Sequence, residues 1–284
     1  MNTLNSSQKV FEFNQSPPSF RTTYAKKLLN VAAYSWVVTA VIGQLFFALY
    51  VTVEFLFSGI KGNFSEWNNQ LPTGFVPGDT LINLALILHM YLAVGILIAG
   101  GLQLWPRLRN NHPMWHRWIG RFYITAVILT ACGGLILTWG DDGGVGDPTQ
   151  HIGITGNAIL ILVFATLAGF TAYKKQFHQH RWWALRLYLV VNGVWFFRIG
   201  LSLWIMIHQE PVGFDPETFT GPTLSVISFA SYLFPLFMLE LYRLVQLYGQ
   251  TTMQYLATTT MVLLTLATLA GSISAAMIIW LPEM

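Results

Sequence analysis

The sequence predicts an all-α, polytopic membrane helix bundle of about seven transmembrane helices, with the N-terminus cytoplasmic and the C-terminus outside. Three observations predict it: a composition too apolar for a soluble core, seven apolar runs of membrane-spanning length, and a one-sided distribution of lysine and arginine. Hydrophobic residues make up 54% of the 284, and charged residues only 10%, against about 25% charged in an ordinary soluble domain. A soluble fold needs a polar shell around its core, and this chain has too few polar residues to build one. Aromatic side chains are abundant, with 11 Trp, 11 Tyr and 20 Phe, as rings collecting at membrane interfaces require. The net charge of +3 does not point to nucleic acid, because the positive residues cluster at helix ends.

Residues 1–28 contain Pro17-Pro18, several Ser and Asn, and Lys26-Lys27, with no apolar stretch. A cleavable signal peptide would open with a short basic region and an apolar segment, so this stretch is read as a polar cytoplasmic arm. Residues 29–284 are read as a single transmembrane domain. A helix needs about 20 apolar residues to cross the hydrocarbon layer. The qualifying runs are Leu29 to Phe57, Leu81 to Trp105, Gly120 to Trp139, Ile152 to Tyr173, Ala184 to Ile207, Thr223 to Leu247, and Tyr255 to Leu281. Turn and breaker residues fill the connections, as in PTGFVPGD, GDDGGVGDP and EPVGFDPETFTGP.

Orientation follows from the cations. With the N-terminus inside, the inside segments hold Lys9, Arg21, Lys26, Lys27, Arg107, Arg109, Arg117, Arg121, Lys174, Lys175, Arg181, Arg186 and Arg243. The outside loops hold only Lys61. Thirteen against one satisfies the positive-inside rule. Cys132 is the only cysteine, which excludes an internal disulfide and a cysteine-built metal site; within its apolar run it is read as a small buried side chain.

Four consecutive spans each carry one histidine. His89 lies about 12 Å below the outer end of the second, at 1.5 Å per residue, and His151 opens the fourth at the outer surface. His116 opens the third and His180 precedes the fifth, both at the inner surface. Neutral imidazole is a common axial ligand of haem iron. Pairing His89 with His151, and His116 with His180, would hold haem b in two layers between the second and fifth helices. Gly153, Gly156 and Gly120 beside them would admit a porphyrin, although small residues equally serve plain helix packing in membranes. His151 stands about two turns above His89, which works against the outer layer.

HRWIGRFY and HRWWALRLY form a short internal echo at two inner helix mouths. Their Arg121 and Arg186 offer a fork geometry that suits haem propionates, lipid phosphate or an anionic substrate. Trp, Tyr and Arg in such clusters also anchor helices to headgroups. Arg198 is different: it lies roughly 18 Å into the bilayer from Arg186. Unpaired there it would cost about 2.5–3.5 kcal/mol on insertion scales, so it requires a wet cavity or a partner such as Glu54 or a haem propionate. Glu240 is read as paired with Arg243 one turn away.

The stretch from LHMYLAVGILIAGGLQLWPRLRNNHPMWHRWIGRFY through QFHQHRWWALRLY to FFRIG and FPLFMLELYR resembles a bacterial membrane family, domain of unknown function 2306. The resemblance covers His89 to Arg243 and implies a polytopic protein of the bacterial inner membrane, with no reaction attached. In architecture the four histidines are also similar to those of two-haem transmembrane cytochrome b proteins, which would imply ligand roles at His89, His116, His151 and His180.

Three functions compete. The first is membrane electron transfer by haem b, with a quinone or a redox protein as partner. The second is a small-molecule transporter or binding protein centred on Arg198, with Asn157 and Asn192. The third is a non-catalytic accessory subunit of a membrane complex. No nucleophile–base pair, phosphate-binding glycine loop or metal motif argues for a hydrolase or a nucleotide enzyme.

Overall fold

The computed structural model describes residues 20–69, 71, 74–140, 144 and 146–281. Most of the polar arm, Asp141 and Asp142 lie outside the described residues. Helix α1 (Phe20–Val51) passes through a π turn (Thr52–Leu56) and ends at Ile60, making the first span. Then follow α2 (Thr80–Leu104), the short α3 (Pro106–Asn111), α4 (Pro113–Trp139) and α5 (Pro148–Tyr173). Helices α6 (Phe177–Val191) and α7 (Gly193–His208) meet at a 48° bend and are long and apolar enough to cross a membrane only as a pair; the pair is called the fifth span below. Helices α8 (Pro222–Tyr248) and α9 (Thr251–Ala275), the latter extended by a π turn to Trp280, follow. Among the described residues six helices are long and apolar enough to cross a membrane, or seven when the bent pair is counted as one span.

The helix starts follow from backbone chemistry. Proline stands in the first turn of α3, α4, α5 and α8, where its missing N–H is no loss. Asp79 caps α2 by accepting from the Ile82 N–H at 2.9 Å, and Asp147 caps α5 by accepting from the Gln150 N–H at 2.9 Å. The third span begins at Pro113 rather than Gly120, so HRWIGRFY is helical throughout.

The spans close a ring: α1 lies on α2, α2 on α4, α4 on α5, α5 on α8, α8 on α9, and α9 back on α1. The bent fifth span runs inside it. Helix α6 packs on α5 and α8, and α7 on α8 and α9. On the other side, Leu187 shares a core cluster with Tyr123 and Ala126 of α4 and Ala99 of α2. Leu187, Tyr188, Leu189 and Val190 are all buried. Four consecutive helical positions point to all sides, so the fifth span is enclosed all round at that depth.

The ring helices present the opposite pattern. Ile42, Val226, Phe237 and Leu263 are exposed, which water would not tolerate over so large a surface but lipid does. Cys132 also belongs to this face: it is exposed, not buried as its apolar run suggested. The reason is that each ring helix turns one side to lipid, where a thiol behaves as a small hydrophobe. Close approach uses glycine. A Cβ on Gly43 would fall 2.8 Å from Ser272 Oγ and from Trp195 Cζ2, so α1 meets α9 and α7 almost backbone to side chain.

Candidate functional site

The inner ends of the third and fifth spans bring two of the candidate histidines together. His116 and His180 are half-buried and within electrostatic reach of one another, with Arg109 beside His116. His180 Nδ1 lies 3.0 Å from the Ala168 carbonyl of α5. That bond sets Nδ1 as the protonated nitrogen and leaves Nε2 with a lone pair. The His116 Nδ1 is buried with no hydrogen-bond partner. Gly120 sits against Gln103 of α2, whose Nε2 donates to the His116 carbonyl at 2.9 Å.

The outer histidines occupy separate surroundings. The His89 ring packs where Gly134 of α4 lacks a side chain, 3.6 Å from an ideal Cβ there, and its other neighbours are the Thr130 backbone and Arg198. His151 is buried and meets the Trp139 ring edge-on, with centroids 5.5 Å apart. Gly153 and Gly156 do not face either ring: they receive Ser228 and Tyr232 of α8. Those two glycines pack helices.

The arginines divide three ways. Arg121 is exposed and lies over Trp118 at 4.8 Å, a cation–π contact typical of an interfacial anchor. Arg186 is committed to Glu240 of α8: Nε donates at 2.7 Å and Nη2 lies 2.5 Å from the same oxygen. Arg243 reaches the other oxygen of Glu240 at 3.5 Å. The predicted Glu240–Arg243 contact is therefore present, but the tighter partner is 54 residues away in sequence. Trp183 under Arg186 and Trp182 under Arg243 extend the cluster.

Arg198 stands on α7, beyond the bend. Nη1 donates to the Val194 carbonyl of its own helix at 3.2 Å, and the guanidinium lies 5.2 Å from the Phe47 ring of α1. Tyr50 and His89 are its polar neighbours. Among the described residues it makes no ion pair. The π turn Thr52–Leu56 begins two residues after Tyr50; such turns are frequent at functional sites.

Below Arg198 the interior stays polar. Tyr188 donates to Gln44 Oε1 of α1 at 2.6 Å, and Asn192, at the bend, donates to the Tyr188 carbonyl at 2.7 Å. Asn157 of α5 abuts Gly193 on the other side of the bend. Gln44 Nε2, Tyr123 OH, Thr130 Oγ1, Asn157 Oδ1, Asn192 Oδ1 and Trp195 Nε1 are buried without hydrogen-bond partners among the described residues. Each such atom costs about 1–3 kcal/mol if left unsatisfied. Sequence reasoning singled out Asn157 and Asn192 but missed Gln44 and Tyr188; a glutamine inside the apolar run VIGQLFF was the readable signal. Among the described residues no group of three metal-ligating side chains forms.

A family profile described as "Predicted membrane protein (DUF2306)" matches residues 86–242. The chain belongs to that family. The DUF2306 region takes in His89, His116, His151, His180, Arg186, Arg198 and Glu240, and leaves α1 and α9 outside. No curated protein and no solved structure matches the chain.

Proposed function

We propose that this DUF2306 protein binds or transports a small solute within the membrane, around Arg198. The observation that carries the reading is a permanently charged guanidinium, deep in the bent central span, with no ion pair among the described residues. Charge inside a span faces a partner or a wet cavity by default. The unpartnered polar atoms of α1, α4, α5 and the fifth span supply further contacts for water or solute. Bent or discontinuous spans near the midplane are where transporters place their binding sites. We assign the protein to the cytoplasmic (inner) membrane, on the strength of its positive-inside charge distribution.

Gly134 gives the test. A Cβ there makes only ordinary contacts with His89, so Gly134→Cys, in a Cys132→Ala background, is a mild change. A membrane-impermeant thiol reagent is expected to modify it in folded protein. Complete protection from the reagent, together with an Arg198→Leu variant that behaves as wild type in solute binding, would overturn the proposal.

A second reading, haem b electron transfer with a quinone or redox protein as partner, is favoured by one observation: the proximity of His116 and His180. The Ala168 carbonyl holds the His180 ring as a ligating imidazole requires. The inner pair carries this reading; the outer histidines lie against Gly134 and Trp139. One haem, exchanging one electron at its iron, is the form this reading takes. Purified protein should then show a Soret band that His116→Ala and His180→Ala abolish. Colourless protein from haem-sufficient cells would end it.

A further inference from the structure

We infer that the Arg198 centre receives a carboxylate carrying a single negative charge and an apolar remainder. The inference rests on the solute-binding reading above and names the chemistry of the occupant. Arg198 supplies one fixed positive charge, and no described carboxylate neutralises it. One negative charge balances that cation. A dianion would leave an uncompensated charge in a low-dielectric interior, where desolvation costs several kcal/mol per ion.

The planar fork of a guanidinium pairs with the two oxygens of a carboxylate through parallel N–H···O bonds. Among the described residues Nη1 of Arg198 alone is engaged, on the Val194 carbonyl. His89 adds a second polar group near it: among the described residues its buried Nδ1 has no hydrogen-bond partner. Beside these polar groups stand large apolar side chains. Phe47 lies under the guanidinium, and Tyr50, Phe55, Leu86 and Met90 belong to the core cluster around it. Such walls exclude a strongly hydrated ion and accept a short aliphatic or aromatic group.

Two sources offer this chemistry: a free monocarboxylic acid and a propionate arm of a porphyrin. The test uses purified full-length protein in mild detergent, with butyrate, benzoate, butyramide, chloride and inorganic phosphate as probes. Ligand binding to the folded state raises the unfolding temperature. Butyrate or benzoate should raise it at concentrations where butyramide, chloride and phosphate do not. Arg198→Leu should abolish the shift. Arg198→Lys, which keeps the charge but loses the fork, should weaken binding about tenfold, and His89→Ala should weaken it similarly. A porphyrin source would instead appear as Soret absorbance in the protein as isolated, lost in Arg198→Leu.

Equal stabilisation by butyramide and butyrate would overturn the carboxylate assignment while leaving a solute site in place. Stabilisation led by chloride or phosphate would overturn it in favour of an inorganic anion. If Arg198→Leu does not fold, the butyrate–butyramide comparison on wild-type protein and the Arg198→Lys variant still decide the question. Absence of both carboxylate-dependent stabilisation and Soret absorbance would overturn the inference.

Discussion

Replacing Glu240 with glutamine removes the charge that holds the inner half of the fifth span to α8. The Arg186 side chain is 13% exposed and that of Glu240 39%, so the pair sits between two measured regimes. Exposed pairs contribute about 0.2–1 kcal/mol, and breaking a fully buried one costs about 3–5 kcal/mol. The half-covered geometry, with two Arg186 nitrogens on one oxygen, places the loss near 2 kcal/mol. For a chain of this size, that is a fall in melting temperature of about 4–8 °C. Trp183 continues to lie against Arg186 at 4.6 Å and limits the loss. Arg243 is 3.5 Å from Glu240 with a 35% exposed side chain, so Arg243→Gln should cost only about 0.5 kcal/mol. The assay is thermal unfolding in mild detergent, followed by tryptophan fluorescence, on Arg186→Gln, Glu240→Gln, Arg243→Gln and the Arg186/Glu240 double variant. Single-variant losses that simply add in the double variant, or an Arg243→Gln loss as large as that of Arg186→Gln, would refute the argument.

Three other outcomes are expected. Gly43→Val should lower the melting temperature by several degrees and broaden the size-exclusion profile, because its Cβ would fall 2.8 Å from both Ser272 Oγ and Trp195 Cζ2, and overpacking costs about 1–3 kcal/mol. The Asp147 carboxyl is held below its ordinary range, first by the Gln150 backbone N–H and then by the Gln150 and Ser225 side chains and the Gly221 N–H. Its contribution is therefore complete above the unfolded-state value of about 3.9 and is lost as pH falls through the lower folded-state value. The melting-temperature gap between wild type and Asp147→Asn should accordingly be constant from pH 7 to 5 and close below pH 4. Single cysteines at Lys61 and Lys174, in a Cys132→Ala background, should react and stay protected, respectively, when intact cells are treated with an impermeant maleimide.

Much of the fold was legible because the bilayer leaves few options: a run of apolar residues in lipid must satisfy its own backbone, and so becomes a helix. The runs ending at Trp139 and Tyr173 match the helix ends. The bend in the fifth span was written as Asn192-Gly193, a turn-favouring pair inside LVVNGVW, yet the surrounding apolarity concealed it. Which span lies at the centre was not legible, since enclosure depends on neighbours rather than on a helix's own sequence. For the same reason Glu240 was assigned to Arg243, close in sequence, when Arg186 approaches it more tightly across the bundle. Of the candidate site, Arg198 was legible because a lone charge stands out in an apolar run. The separate environments of His89 and His151 were not, because sequence gives a residue's depth but not the direction of its ring.

The contact between α1 and α9 that closes the ring also sets an order of assembly. Synthesis delivers the first span before α7 and its partner α9 after it, so that Arg198 and Asn192 are made before the two can meet. During that interval the polar fifth span has no complete wall around it. Closure of the ring therefore waits for α9, and a ribosome that stops after α8 leaves the wall beside α7 open.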